Sequence, residues 1–260
     1  MTSSFWIGTS WKMNNTIAET RSYLTELVAA PLPESMSVFV VPSFTALPAA
    51  RETIGDAPVH LGAQNMHWDE KGAHTGEISP LMLLECGVEI VELGHSERRT
   101  DQAESDADVN AKVRSAIAHD LRPLVCVGDH EEELAAGASA ETVIRQVKLA
   151  LSGIDTSQLS RCLIAYEPVW AIGESGRVAS PEHVAAVHGA VRDLLDTHGL
   201  AAVPVLYGGS VNAGNAGALA ATAGVGGLFV GRSAWTAGGF LEVIAAAEKG
   251  LAARNALATA

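Results

Sequence analysis

The chain is poor in cysteine, in aromatic residues and in positive charge, and it has no long apolar run. Its three cysteines, Cys86, Cys126 and Cys162, are odd in number and form no Cys-x-x-Cys pair, which fits a reducing compartment better than a disulfide framework. They read as buried free thiols of a reducing compartment, the cytoplasm. No stretch approaches the roughly 20 apolar residues of a membrane helix, and residues 1–8 lack the basic and apolar regions of a secretory signal. Seventeen Lys and Arg against 30 Asp and Glu leave a net charge of -13, which opposes binding to nucleic acid or to an anionic membrane. An anionic small molecule must therefore be held by local groups.

What the chain has in quantity is small and apolar residues: 48% hydrophobic, 25 glycines and only 18% charged, enough to build a core and to exclude a largely disordered protein. Short β-branched runs at 5–9, 38–41, 59–63, 89–93, 124–127, 163–166, 205–207 and 228–230 read as strands. Between them lie helical patterns at 16–30, 45–55, 80–86, 106–119, 140–151, 180–197, 212–223 and 239–252. Alternation of this kind predicts a parallel sheet covered by helices, and about eight units close into a (β/α)8 barrel; an open doubly wound sheet is the alternative. No linker or low-complexity tract divides the chain, so 1–260 is expected to be one α/β domain.

In such a barrel the chemistry sits after the strands' C-terminal ends. Lys12 follows the first strand, Gln64 and Asn65 the third, His95 the fourth and Glu167 the sixth, while Gly208-Gly209, Gly226-Gly227 and Gly231 mark the last two. Glu167 lies among Tyr166, Val169 and Trp170, a setting expected to desolvate the carboxylate and raise its pKa toward that of a general base. His95 opens a short helix whose dipole disfavours a charged ring, leaving a neutral donor. Lys12 supplies positive charge for an oxyanion. The turns around Gly208, Gly209, Ser210, Gly231 and Arg232 offer backbone donors of the kind that hold phosphate, and 173–179, from Gly173 on, reads as a lid. The histidines have neither HxH nor HExxH spacing, so neither a metal nor another cofactor is expected.

Trp11-Lys12-Met13-Asn14, Gly62-Ala63-Gln64-Asn65, Thr75-Gly76-Glu77-Ile78-Ser79, Gly94-His95-Ser96-Glu97-Arg98-Arg99, Tyr166-Glu167-Pro168-Val169-Trp170 and Tyr207-Gly208-Gly209-Ser210-Val211 together resemble the triosephosphate isomerase family. The likeness spans essentially the whole chain. It implies a TIM barrel in which Glu167 moves a proton between adjacent carbons, His95 is the neutral electrophile and Lys12 the electrostatic partner. It further implies that Glu97 is a buried carboxylate beside the site, that Cys126 is a packed thiol, and that the Gly208-Gly209 and Gly231 turns grip phosphate. The excursion bearing Thr75 and Glu77 would dock into a second copy, making a homodimer.

Four departures from the family pattern point to a subgroup. Ser10 stands where the family has Asn, the lid is one residue longer and reads Glu174-Ser175-Gly176-Arg177, Arg232 replaces a glycine, and Asp129 replaces Glu. These positions resemble the L-erythrulose-1-phosphate isomerases, whose substrate is dihydroxyacetone phosphate lengthened by a hydroxymethyl group. The smaller Ser10 would make room for that group, with Arg232 or Glu174 as a partner for its hydroxyl. Three readings stay open at this point: a tetrulose-phosphate isomerase of erythritol catabolism, a glycolytic triosephosphate isomerase, and a silent phosphate-binding scaffold.

Overall fold

The computed structural model describes residues 5–173 and 176–258, so Glu174 and Ser175 of the expected lid lie outside the described residues. Eight parallel strands pair in sequence order and close on themselves: β1 (Phe5–Ser10), β2 (Met36–Val41), β3 (Val59–Ala63), β4 (Ile90–Leu93), β5 (Arg122–Val127), β6 (Leu163–Tyr166), β7 (Val205–Tyr207) and β8 (Gly227–Val230). Closure comes from β1 pairing with β8, with Trp6 opposite Gly227 and Thr9 opposite Val230. The open-sheet alternative is thereby overturned.

Helices α1 (Ile17–Ala29), α2 (Leu47–Ile54) and α3 (Pro80–Glu85) follow β1, β2 and β3, and α4 (Ser96–Asp101) and α5 (Asp106–Ala118) follow β4. Then come α6 (Glu131–Ala135), α7 (Ser139–Ala150) and α8 (Thr156–Leu159) after β5, α9 (Pro181–Thr197) after β6, α10 (Ala216–Ala221) after β7 and α11 (Ala237–Ala258) after β8. Side-chain caps mark the starts where the sequence supplies them. Thr16 with Glu19 and Ser105 with Asp108 form capping boxes on α1 and α5, and Ser180 caps α9 ahead of Pro181.

Period-two alternation along the strands sorts side chains into two cores. Outward residues such as Ile7, Val38, Val40, Val91, Val125 and Ile164 meet the helices, while Trp6, Phe39, Ile90, Leu124, Leu163, Leu206 and Phe229 fill the barrel. Gly8 faces the same interior because a Cβ there would stand 2.2 Å from the Phe39 ring. These fillers plug the lower barrel and leave its C-terminal mouth to smaller and polar groups. Cys126 and Cys162 are buried, whereas Cys86, at the exposed end of α3, is only half-buried, contrary to expectation.

Candidate functional site

On β4, Ile90 and Glu92 turn into the barrel while Val91 and Leu93 turn out. Gly94, at φ 76°, then swings the chain so that His95 caps α4. The Glu97 N–H donates to His95 Nδ1 at 3.2 Å, which leaves the proton of a neutral ring on Nε2, aimed at the mouth of the barrel. Burial first, and the Lys12 charge second, push the His95 pKa down to about 4, so the ring is neutral at ordinary pH. Arg99 braces this corner, donating to the Gly94 carbonyl at 2.7 Å and to Asp106 at 2.7 Å.

Lys12 follows β1 with φ 55°, a left-handed conformation that costs a non-glycine residue roughly 1–3 kcal/mol. The surroundings over-determine it. Gln64 Nε2 donates to the Lys12 carbonyl at 2.8 Å and to the Val41 carbonyl at 3.1 Å, and Asn14 Nδ2 donates to the Trp11 carbonyl at 2.7 Å. Lys12 Nζ reaches Glu97 Oε1 at 2.5 Å. Glu97 is not the buried carboxylate expected from the sequence: its side chain is 50% exposed, because the second residue of α4 stands on the helix's open side.

The buried carboxyl is Glu92, 2% exposed, whose Oε2 accepts the Ser10 Oγ–H at 2.8 Å. Burial raises its pKa to about 8, against the lowering effect of the Ser10 hydrogen bond and of Lys12. Period two along an otherwise apolar strand was the signal for it: an acidic residue two places after Ile90 must face the barrel interior.

Glu167 closes β6, its N–H donating to the Val127 carbonyl at 2.7 Å. Its side chain is buried with Oε1 3.8 Å from His95 Nε2. Burial, then the nearby Glu92 charge, raise its pKa to about 8, partly offset by Lys12 and by the Cys126 thiol. The desolvating shell differs from expectation. Tyr166 and Trp170 turn instead to Asp129, which accepts from Tyr166 Oη at 2.8 Å, Trp170 Nε1 at 3.0 Å and Ser139 Oγ at 2.6 Å. Asp129, one of the four departures noticed in sequence, thus anchors the start of the lid segment. Glu167 packs against Cys126 and Gly208, where a Cβ would stand 2.8 Å from its Cγ.

A cavity of about 520 Å³ joins these groups. Ser10, Lys12, His95, Glu97 and Glu167 line one side, and Gly173, Gly208, Gly209, Ser210, Gly231 and Arg232 the other. Not every turn residue offers a donor: the Gly208 N–H is taken by the Tyr166 carbonyl at 2.8 Å, and Ser210 Oγ–H by the Ala171 carbonyl at 2.7 Å. Among the described residues, the N–H groups of Gly209, Ser210, Gly231 and Arg232 meet no protein acceptor. They form an anion-sized wall of backbone dipoles. At the lid's far end Arg177 is drawn outward, its Nη2 donating to both Glu131 oxygens at 2.8 Å while the guanidinium lies over the Trp170 ring. Thr75 and Glu77 are exposed and outside the cavity lining.

Among the described residues, two groups of side chains bring three potential metal-ligating atoms within 4.8 Å: His67, Asp69 and His74 on the long excursion, and Glu92, His95 and Glu167 in the site. In the second, His95 presents Nε2–H and hence no lone pair to a cation. In the first, the His67 Nδ1 lone pair is taken by the Asp69 N–H at 3.0 Å.

The arrangement can take a proton from carbon at Glu167, donate a hydrogen bond to oxygen from His95 and hold negative charge beside Lys12. Among known proteins, L-erythrulose-1-phosphate isomerase of Brucella abortus is 46% identical over 244 residues, covering 93% of this chain and 95% of that protein. The protein of that name from Mycolicibacterium smegmatis is 45% identical over 243 residues (92% and 91%), and that from Rhizobium meliloti 43% over 245 (93% and 96%). The triosephosphate isomerase family model matches residues 5–247. With a closed eight-stranded barrel carrying the matched motifs at its mouth, the chain belongs to the triosephosphate isomerase family.

Proposed function

We propose that this isomerase interconverts L-erythrulose 1-phosphate and D-erythrulose 4-phosphate. The observation that carries the chemistry is the convergence of Glu167 Oε1 on His95 Nε2, 3.8 Å apart, in a cavity whose far wall is made of open backbone N–H groups. The phosphate sits on Gly209, Ser210, Gly231 and Arg232, which fixes the reacting carbons over Glu167. Glu167 takes the proton from the carbon next to the carbonyl; the electron pair forms the carbon–carbon double bond of an enediolate, and the former carbonyl oxygen gains charge. His95 Nε2–H and Lys12 Nζ stabilise that oxygen, and the hydroxyl proton passes between the two oxygens through the ring. Glu167 then returns its proton to the neighbouring carbon. No bond to phosphate changes, and Gly173 begins a segment that shields the enediolate from water.

The four-carbon substrate is supported by the names of the relatives and by Ser10, whose small side chain is turned away to Glu92. The reading extends to assembly: two copies pack with Thr75 and Glu77 of each against the other's Lys12 region. Met13, 96% exposed beside Lys12, and the half-exposed Glu97 are surfaces such a contact would cover. Three free cysteines fit a cytoplasmic setting.

The test is proton NMR in heavy water with L-erythrulose 1-phosphate and, separately, dihydroxyacetone phosphate. Turnover with deuterium uptake on the tetrulose is expected; turnover of the triose alone would replace this reading with a glycolytic one. In the same assay Ser10→Asn should shift the ratio of kcat/KM values toward the triose.

A further inference from the structure

A second, smaller cavity of about 120 Å³ opens behind the first, sharing Ser10, Lys12, His95 and Glu97 with it. It belongs to the opposite half of the barrel from the phosphate wall. Phe44 after β2, Gln64 and Asn65 after β3, Glu92 on β4 and Arg98 of α4 complete it, and none of the glycines of the β7 and β8 turns takes part. A ligand anchored by phosphate on the β7 and β8 side and reacting at Glu167 and His95 therefore points its other end here. A space of roughly 10–15 Å³ on this measure holds one water, so a hydroxymethyl group, two non-hydrogen atoms, has ample room.

The polar chemistry of the cavity is specific. Ser10 spends its only proton on Glu92 Oε2, which leaves the Ser10 oxygen's lone pairs open to accept. Glu92 Oε1 takes no hydrogen bond from the described residues and lies 4.0 Å from His95 Nε2, beyond bonding distance. Glu92 lines the cavity, and this oxygen opens into it rather than into sealed protein, so it is free to meet a ligand.

We propose that this cavity is the subsite for the terminal hydroxymethyl group of a four-carbon ketose phosphate, and that Glu92 and Ser10 together bond its hydroxyl. The hydroxyl proton goes to Ser10 Oγ, and the hydroxyl oxygen accepts from Glu92 Oε1. With its pKa raised to about 8, Glu92 is largely protonated at neutral pH and has that donor to give. In that protonated form it places no charge beside the enediolate. A three-carbon substrate lacks that hydroxyl and leaves the pair without this partner, which is how a site built around a hydroxyl discriminates far better than one that only measures a methylene.

The inference rests on the four-carbon reading above, and its test separates the two. Wild type, Glu92→Gln and Glu92→Leu are assayed for kcat/KM on L-erythrulose 1-phosphate and on dihydroxyacetone phosphate, with inorganic phosphate binding and thermal melting as controls for folding. Glu92→Leu should lower the tetrulose-to-triose ratio about tenfold, the upper range expected for losing a hydrogen bond between neutral groups, while phosphate binding stays intact. Glu92→Gln, which keeps an acceptor for Ser10 and a donor for the substrate, should retain most of the ratio. Should Glu92→Leu not fold, Ser10→Ala supplies the same comparison. Equal losses on both substrates would overturn the subsite in favour of a role in proton transfer, and an unchanged ratio would overturn it outright. A wild type that turns over only the triose would overturn the four-carbon reading itself.

Discussion

Replacing Gly208 with alanine puts one methyl group against the proposed base and changes little else. The added Cβ would lie 2.8 Å from Glu167 Cγ, 3.2 Å from Oε1 and 3.5 Å from Cδ. Carbon atoms in ordinary contact sit about 3.5–4.0 Å apart, so the carboxylate must retreat by roughly 0.7 Å or more. Its backbone cannot follow, because the Glu167 N–H is held by Val127 at 2.7 Å and Gly208 by Tyr166 at 2.8 Å. Gly208 is not in the left-handed region, so alanine brings no backbone strain and the perturbation is purely steric. A displacement near 1 Å at a proton-transfer group costs on the order of a hundredfold in rate, or about 2.7 kcal/mol. Steady-state kinetics of Gly208→Ala should show kcat reduced roughly 10- to 100-fold, with inorganic phosphate affinity and melting temperature near wild type. A kcat within twofold of wild type would refute the placement of Glu167 as the base, since no carboxylate at this position could evade the methyl group and stay aligned.

Stability should fall as pH rises from about 6.5 to 8. Glu92 and Glu167, raised to about 8, hold protons the unfolded chain has released, so the native state loses ground as pH climbs toward 8. His95 and His188, lowered to about 4, act oppositely, but their gain is complete by the unfolded value near 6.5. The decline is up to about 4 kcal/mol by linkage and should be halved in Glu92→Gln, as read by denaturant unfolding at several pH values. The rate on the free enzyme should rise with pH toward 8 as Glu167 ionises, and a kcat/KM flat from pH 6 to 9 would contradict that assignment. Lys112, buried against Glu104 and donating to Asn65 at 2.9 Å, is another sensitive point. Lys112→Met should cost about 3–5 kcal/mol by stranding Glu104, and adding Glu104→Leu should recover part of it, both measured by chemical denaturation. If the proposed two-copy assembly forms, Thr75→Arg should convert it to monomer in sedimentation and lower kcat; a variant sedimenting as wild type would remove Thr75 from the contact.

Every strand was legible in the sequence to within about two residues, because each is a short β-branched run bounded by turn residues and burial on both faces leaves no competing pattern. Helices α6 and α8, of five and four residues, were too short to show a period. The helix expected over 212–223 forms only at Ala216–Ala221, since Asn212 and Asn215 instead close a side-chain turn on Gly214 and on the Asn212 N–H. At the other end α11 runs on to Ala258, six residues past expectation, through an alanine-rich stretch of high helix propensity. Glu167, His95 and Lys12 could be found because they follow strand ends within longer motifs. Glu92 lay inside the strand read at 89–93 and was passed over, since a single acidic residue inside a strand reads as noise until the closed sheet shows which way it points. Glu97 is half-exposed in the single chain, and its neighbourhood in sequence says nothing about which side of a six-residue helix it occupies.

The pairing of β1 with β8 joins the two ends of the chain, and the proposed ligand lies across that seam, with its phosphate on the β7 and β8 turns and its reacting carbons beside Ser10 and Lys12. Contacts this distant in sequence form late and slowly, so a chain still being synthesised has an open β1 edge and only half a pocket. Substrate thus recognises closure itself. A ligand bound a hundredfold above its Kd would hold the seam shut by about 2.7 kcal/mol, and refolding in its presence should shift the balance away from edge-to-edge aggregation of the incomplete barrel.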